Sequence, residues 1–435
     1  MAKKVILFLS ELRPNVREKE YICPGGLRVT GGQTNEAPVK YLLAAYPDIT
    51  QILCIVTPRA YATAWQRFSE TVTAAAPGVT LRQIPFADGE DFSDGPLTEV
   101  MRQVQSGDEI FLETTGGFRN AIMHLLLLSR ILSFRGIRTE KAVYSNFENS
   151  EIQDVSHLIG LFDLVGGMQE MTSFGNTRTL RAYFGRPAGN PAVEQLLASV
   201  EVLQEAIALC RTKDLADIMG EFDRALGNAE QCTDPLMQQL LPAFRQKFGS
   251  KGKKLTTPAL IKWCIQSDMI QQALTVYTER IPAYIIHSGR HLLVGEQVRQ
   301  PPAQSYEDRD AVQFTKDFLL LSKRYRLVER QDNSVRSYVE TLENLEYLIK
   351  DSGYQVLCPI DQMHRICMDY LYIKMVRNMT NHANSEGVED QTELMRYLES
   401  FGYESIDRIS VKSVRTALLS GLDHLQTFSK KEKKK

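Results

Sequence analysis

From the amino terminus to about residue 150, short apolar runs alternate with stretches of helical spacing. KVILFL (4–9), ILCIVT (52–57), VTLRQIPF (79–86), EIFLETT (109–115) and KAVYSN (141–146) are rich in β-branched and aromatic residues and are bounded by Gly, Pro, Asp or Asn. Runs of this kind predict strands. Between them, VKYLLAAY after Pro38 and the segments 59–75, 95–105 and 119–134 place apolar residues at helical intervals. Such alternation, with runs apolar on both faces, predicts a mainly parallel sheet covered by helices, an α/β Rossmann-like domain over residues 1–184.

The pattern changes after GRPAGNP (185–191), where two prolines and two glycines fall in seven residues. Such punctuation predicts a domain boundary. Beyond it, helical spacing dominates 192–228, 233–247, 256–281, 309–329, 334–350, 360–382 and 407–428, and the polar stretch 295–308 around Pro301 and Pro302 reads as a loop. The expectation for residues 192–435 is an all-helical domain.

Composition narrows the classes. A chain of 435 residues exceeds one ordinary core, and 43% hydrophobic with 24% charged residues is the balance of a soluble globular protein. Apolar runs are all shorter than the roughly 18 residues of a membrane span, so no membrane association is expected. MAKKVILFLSEL carries two lysines ahead of an apolar run, but Glu11 and Arg13 interrupt it and it reads as a first strand rather than a leader. The seven cysteines are scattered, odd in number and without a CxxC pair, so neither a disulfide framework nor a zinc site is expected and a reducing cytoplasm fits. A net charge of −2 disfavours a stable complex with duplex DNA, whose phosphates demand an excess of cations, yet it permits a local basic cleft for a short single strand. The lysine-rich tail from Lys430 to Lys435 reads as a solvated end.

Candidate chemistry gathers first at the strand ends, where open α/β sheets bind ligands. Ser10 follows the first predicted strand, Thr57 the second and Asn146 the fifth, while the fourth runs into Thr114-Thr115-Gly116-Gly117-Phe118-Arg119 before an apolar helix. Two glycines let the backbone approach a ligand, the helix start offers unpaired N–H groups, and Arg119 adds a cation, as a phosphate or nucleotide cradle requires. Neither GxGxxG nor a Gly-Lys-Ser/Thr P-loop occurs, which disfavours a dehydrogenase or an NTPase. Gly31-Gly32-Gln33-Thr34-Asn35-Glu36-Ala37-Pro38 precedes another helix, and Thr34 and Asn35 either cap it or face the same ligand.

A first strand, then QTNEAPVKYL, then a later strand ending in TTGG resembles the CARF sensor domains of type III CRISPR ancillary nucleases. The resemblance covers roughly residues 1–170. It implies a cyclic oligoadenylate bound across a homodimer, in contact with Ser10, Thr34, Asn35, Thr57, Thr114, Thr115, Gly116, Gly117, Arg119 and Asn146. The chain departs from many relatives at Phe118-Arg119, where they carry a small hydroxyl and Lys or a His-Gly variant; the ring size is therefore open, with tetra-adenylate preferred over hexa-adenylate. Two fates of the ring are also open, binding alone or slow cleavage in a pocket of hydroxyls and amides.

In the helical half, Arg377-Asn378-Met379-Thr380-Asn381-His382 has the Arg-x4-His spacing of HEPN ribonucleases, including the Asn that often follows the Arg. The resemblance implies catalysis by Arg377 and His382 with Asn378 beside them, no metal or other cofactor, single-stranded RNA as substrate, and 2′,3′-cyclic phosphate and 5′-hydroxyl products. The same spacing recurs at Arg119 to His124, but AIMHLLLLS is so apolar that His124 reads as a core residue. On the helix 360–382, Met363, Ile366, Tyr370 and Ile373 form an apolar stripe that Arg377 continues. His382 lies about 140° round a regular helix from Arg377, so the pair can share a face only where the helix bends or ends. The bland alternative is a buried ion pair and a C-terminal histidine answering the helix dipole. HExxH, GxSxG and carboxylate clusters at metal-binding spacing are missing from the sequence. The whole chain resembles the CARF–HEPN ribonucleases of the Csm/Csx class; a ligand-sensing transcription regulator is the alternative.

Overall fold

The structure, a computed structural model, describes residues 2–14, 16–87, 95–117, 120–185, 187–231, 235–247, 255–294, 326–329, 336–339, 354–381 and 388–426. The chain divides into two compact units, Met1–Gly166 and Gly167–Lys435.

The first unit is built on a mixed eight-stranded sheet: β1 (Lys3–Phe8), β2 (Lys19–Ile22), β3 (Arg28–Gly31), β4 (Ile49–Val56), β5 (Thr80–Pro85), β6 (Glu109–Glu113), β7 (Arg138–Asn146) and β8 (Glu151–Asp154). Their order is β3-β2-β8-β7-β6-β1-β4-β5. The stretch from β7 to β5 is parallel, whereas β8 returns antiparallel on β7 and β2 pairs antiparallel with β3. Each of the five apolar runs in the sequence forms one of the parallel strands. The short strands KEYI, RVTG and EIQD escape a periodicity reading because four mostly polar residues carry no apolar run.

Alternate residues of the central strands feed opposite cores, as the two-residue side-chain period requires. Val5 and Leu7 pack under α1 (Glu36–Ala45) and, past the short α2 (Pro58–Ala60) and a π-helical turn, α3 (Gln66–Ala75). Ile6 and Phe8 pack under α4 (Pro96–Gln103) and α5 (Ala121–Phe134). The amino end of β1 is fastened by Lys4, whose Nζ lies 2.7 Å from Asp108 Oδ2. Both side chains are buried, and Asp108 also accepts from the backbone N–H groups of Ala2 and Gln105. From β8 the chain enters α6 (Ser156–Phe174), within which the two units divide.

The second unit contains α7 (Arg178–Phe184), α8 (Pro191–Ala208), α9 (Leu215–Ala229), α10 (Pro235–Lys247), α11 (Thr257–Gln266), α12 (Ile270–His287), α13 (Ile360–Asn381), α14 (Val388–Ser400) and α15 (Val411–Gln426). The GRPAGNP segment ends in a helix start: Asn190 Oδ1 accepts from Ala192 N–H at 2.9 Å, with Pro191 in the first turn. The long helical stretches expected over 192–228 and 256–281 each break once, next to Cys210 and Asp268 at left-handed φ of 52° and 58°. The unit is helical but not all-helical. β9 (Leu292–Val294) pairs antiparallel with β12 (Tyr354–Val356), and β10 (Arg326–Glu329) with β11 (Arg336–Val339). The last two lie in segments read as helical at 309–329 and 334–350; apart from these strands, both segments and the 295–308 loop lie outside the described residues. Pairing between strands is a non-local choice that spacing along four residues does not reveal. At the centre, α13 buries most of its residues from Met363 to Val376 rather than a single stripe, with Arg365 exposed and Lys374 partly so, and is packed by α12 and α15.

Removing the carboxylate at Asp108 leaves the buried Lys4 charge without its counter-ion, with the Gln103 carbonyl still accepting from Nζ. Asp108→Ala is therefore expected to lower the unfolding free energy by about 3 kcal/mol, whereas Glu20→Ala, in an exposed pair with Arg28, costs under about 1 kcal/mol. Urea titrations of the two variants beside the parent measure the difference.

Candidate functional site

Along the parallel part of the sheet, β4 and β5 extend it from β1 in one direction and β6 and β7 in the other. The carboxyl ends of strands flanking such a reversal leave a crevice between diverging connections. A cavity of about 770 Å³ opens there, reached by the residues that follow β1, β4, β5 and β6.

Its floor is a buried polar knot. Asn35 is fully buried, and its Oδ1 accepts from Ser10 N–H at 2.9 Å and from Gln33 Nε2 at 2.8 Å. Its Nδ2 donates to the Phe8 carbonyl at 3.0 Å and, at closer range, to Glu113 Oε2. Glu113, also fully buried, accepts from Thr115 N–H at 2.7 Å through its other oxygen. Burial dominates those hydrogen bonds and pushes its carboxyl up to about 7. The Asn35 side chain makes no capping bond to α1. Glu36 gathers the loop instead, accepting from Gly32 N–H (2.7 Å) and Gln33 N–H (3.1 Å) and pairing with Arg67 Nε at 2.7 Å.

The glycine pair is demanded by this knot. A Cβ on Gly116 would overlap Asn35 Nδ2 and the Phe8 carbonyl. Gly117, at φ +96°, turns the chain so that its N–H donates to Ser10 Oγ at 2.8 Å. The turn after β6 is thereby clipped to the end of β1.

Of the residues singled out in the sequence, Ser10, Thr34, Thr57, Thr115 and Gly117 line the cavity. Asn35 and Gly116 support it from below. Thr114 turns away, donating from Oγ1 to the Val143 carbonyl at 2.8 Å. Asn146 ends β7, and its Oδ1 accepts from the Glu148 and Asn149 N–H groups of the turn that follows. Arg119 lies outside the described residues.

The cavity wall also holds Arg13, Arg59, Asn120 and His124, none of which the sequence marked as a ligand contact. Arg13 and Arg59 are exposed and make no ion pair with any described residue. His124 was expected in the core. It is half-buried on the wall, 6.1 Å from the Phe8 ring and 6.2 Å from that of Phe86, because the first turn of α5 faces the strand ends. A charged residue closing an otherwise apolar strand (Glu113 in EIFLE) is the signal that would have exposed the floor.

In the second unit, Arg377 stands on the last turns of α13. One terminal nitrogen lies 3.2 Å from Glu279 Oε1 on α12 and the other 3.4 Å from Asn378 Oδ1. Its Nε is buried and has no hydrogen-bond partner among the described residues. Asn381 Oδ1 accepts from Gln271 Nε2 at 2.9 Å, which anchors the end of α13 to α12. His382 lies outside the described residues. Among the described residues no group of His, Cys, Asp and Glu is arranged to hold a metal ion, and no helix is long and apolar enough to cross a membrane. No protein-family model matches the chain, and no curated protein matches it.

Two outcomes follow for the floor. Gly116→Ala should destabilise the first unit by about 2 kcal/mol or more through overpacking, read as a lower melting temperature. The unfolded chain releases the Glu113 proton near 4.5 and the folded chain near 7, so the stability this group contributes is full below pH 4.5 and is lost as pH rises to 7. Melting temperatures taken across that window should fall more steeply for the parent than for Glu113→Gln.

Proposed function

We propose that the chain is an endoribonuclease of the CARF–HEPN kind, active in type III CRISPR defence, in which a cyclic oligoadenylate held in the N-terminal cavity raises RNA cleavage by the helical unit. The observation that carries this reading is the cavity at the strand-order reversal. Hydroxyls of Ser10, Thr57 and Thr115 meet there with the guanidinium groups of Arg13 and Arg59. Hydroxyls and guanidinium groups without an ion pair among the described residues suit ribose and phosphodiester oxygens, and Phe86 with His124 offers an unsaturated wall for a base. Exposed apolar residues on α5 and α6 (Met123, Leu127, Leu158, Phe162, Val165) favour a homodimer, which a ring of even size matches by two-fold symmetry.

In the helical unit, an arginine held for structure alone would have its nitrogens satisfied. Arg377, with a buried Nε unpartnered among the described residues, is instead free to re-pair with a phosphodiester. The ribose 2′-oxygen attacks the adjacent phosphorus and the 5′-oxygen leaves. Arg377 stabilises the extra charge on phosphorus, Asn378 orients it, and His382 transfers the proton to or from the reacting oxygens. The proposal extends to slow opening of the activator ring, since His124 adds an imidazole to the hydroxyls and amides of the cavity wall.

The test is cleavage of a fluorescent single-stranded RNA with cyclic tri-, tetra- and hexa-adenylate added separately. Stimulation by the tetra-adenylate that persists in EDTA and leaves 2′,3′-cyclic phosphate ends is expected. Arg377→Ala or His382→Ala should lower the rate by about a hundredfold or more with ring binding intact. Arg59→Ala and His124→Ala should raise the ring concentration needed for activation. Cleavage of DNA, dependence on a divalent metal, or a tight complex with duplex DNA in place of cleavage would overturn the reading. Labelled ring left intact after many hours with the His382→Ala protein would remove the ring-opening extension.

A further inference from the structure

The helical unit contains a second cavity, of about 490 Å³, that the reading above leaves unused. It is walled by α13, by α15 and by residues 401–404 after α14. It contains a buried carboxylate: Asp369, 2% exposed, accepts from Tyr403 OH at 2.7 Å through Oδ1 and faces His424 Nδ1 at 2.6 Å through Oδ2. A carboxylate in that position fixes the proton on Nδ1 and sets the ring plane, leaving Nε2 on the opposite edge. His424 itself lines the cavity, and Nε2 has no partner among the described residues. The Asp369 hydrogen bond, outweighing desolvation, raises the pKa of His424 and so favours a second N–H on that edge.

Two cations converge on the same opening. Arg365, one turn before Asp369, and Lys412, in the first turn of α15, are exposed on its wall without an ion-pair partner among the described residues. Beside them the Tyr372 and Tyr403 rings lie against each other, 4.9 Å apart and tilted by 37°. Glu404 contributes an acceptor. A purely structural Asp–His pair explains neither the cavity nor the two exposed cations gathered round it.

We propose that this cavity binds one nucleotide unit, with its phosphate on Arg365, Lys412 and His424 Nε2, its base against the Tyr403 ring and its ribose hydroxyls on Glu404. Charge-assisted donors of this kind recognise phosphate, aromatic faces stack on any base, and the volume suits a ligand of that size rather than a strand. The site is separate from Arg377, eight residues and about 12 Å farther along α13, and does not depend on the ribonuclease reading.

Titration calorimetry on the full chain tests it with AMP, adenosine and a 2′-O-methyl RNA hexamer, which the proposed nuclease chemistry cannot cleave. Saturable AMP binding is expected, with adenosine much weaker. Lys412→Ala and Arg365→Ala, both at exposed positions that leave folding intact, should each weaken AMP by about tenfold, the size of one charge-assisted hydrogen bond. His424→Gln should do the same where circular dichroism shows it folded, and Arg377→Ala should bind AMP as the parent does. Hexamer binding that is sensitive to Lys412→Ala, with AMP silent, assigns the site to a nucleotide within an RNA strand. Absence of binding by both, or binding indifferent to Lys412→Ala and Arg365→Ala, overturns the proposal.

Discussion

The side-chain amide of Asn35 is the tie on which the N-terminal cavity depends. It joins the end of β1, the loop before α1 and the end of β6 through hydrogen bonds to Ser10, Gln33, Phe8 and Glu113. An amide suits this place because it donates and accepts at once and carries no charge into a fully buried position. Its demands propagate outward. The chain passing over it must be glycine at 116, the turn must take positive φ at Gly117, and that turn then returns an N–H to Ser10. Ser10 and Thr115 stand where they do on the cavity lining because the knot beneath them leaves little freedom, whereas the Thr57 hydroxyl is set by the N–H of Ala60.

Each unit places a buried carboxylate behind a cavity, with different electrostatic consequences. Glu113 has neutral donors, from Asn35, Thr115 and Gly116, and burial drives it toward the protonated form. Asp369 meets a histidine, so the pairing favours an imidazolium at the cavity edge. The first carboxylate serves to hold backbone, and the second aims a titratable group. Arg377 contrasts with both: a half-exposed pairing to Glu279 and a buried Nε unpartnered among the described residues leave its guanidinium short of partners. Satisfied groups mark positions fixed by folding, and under-satisfied ones mark positions where binding can supply what folding did not.

How far the chain was legible follows from the range of each interaction. The sequence by itself determined the five parallel strands, the helices over them, the helical character of the second half and the glycine turn after EIFLETT. These depend on neighbours within a few residues, where the apolar period of a strand or helix is directly written. The short strands β2, β3 and β8 and the β10–β11 pair escaped because they borrow their stability from partner strands. Only the tertiary structure decided that Asn35 lies under the cavity while Thr34 lines it, that His124 leaves the core for the wall, and that Asp369 meets His424. Those partners stand 25 residues apart for Asn35 and Ser10, 78 for Asn35 and Glu113, and 55 for Asp369 and His424. Periodicity tells which face of an element is buried; sheet order and helix packing choose what that face meets.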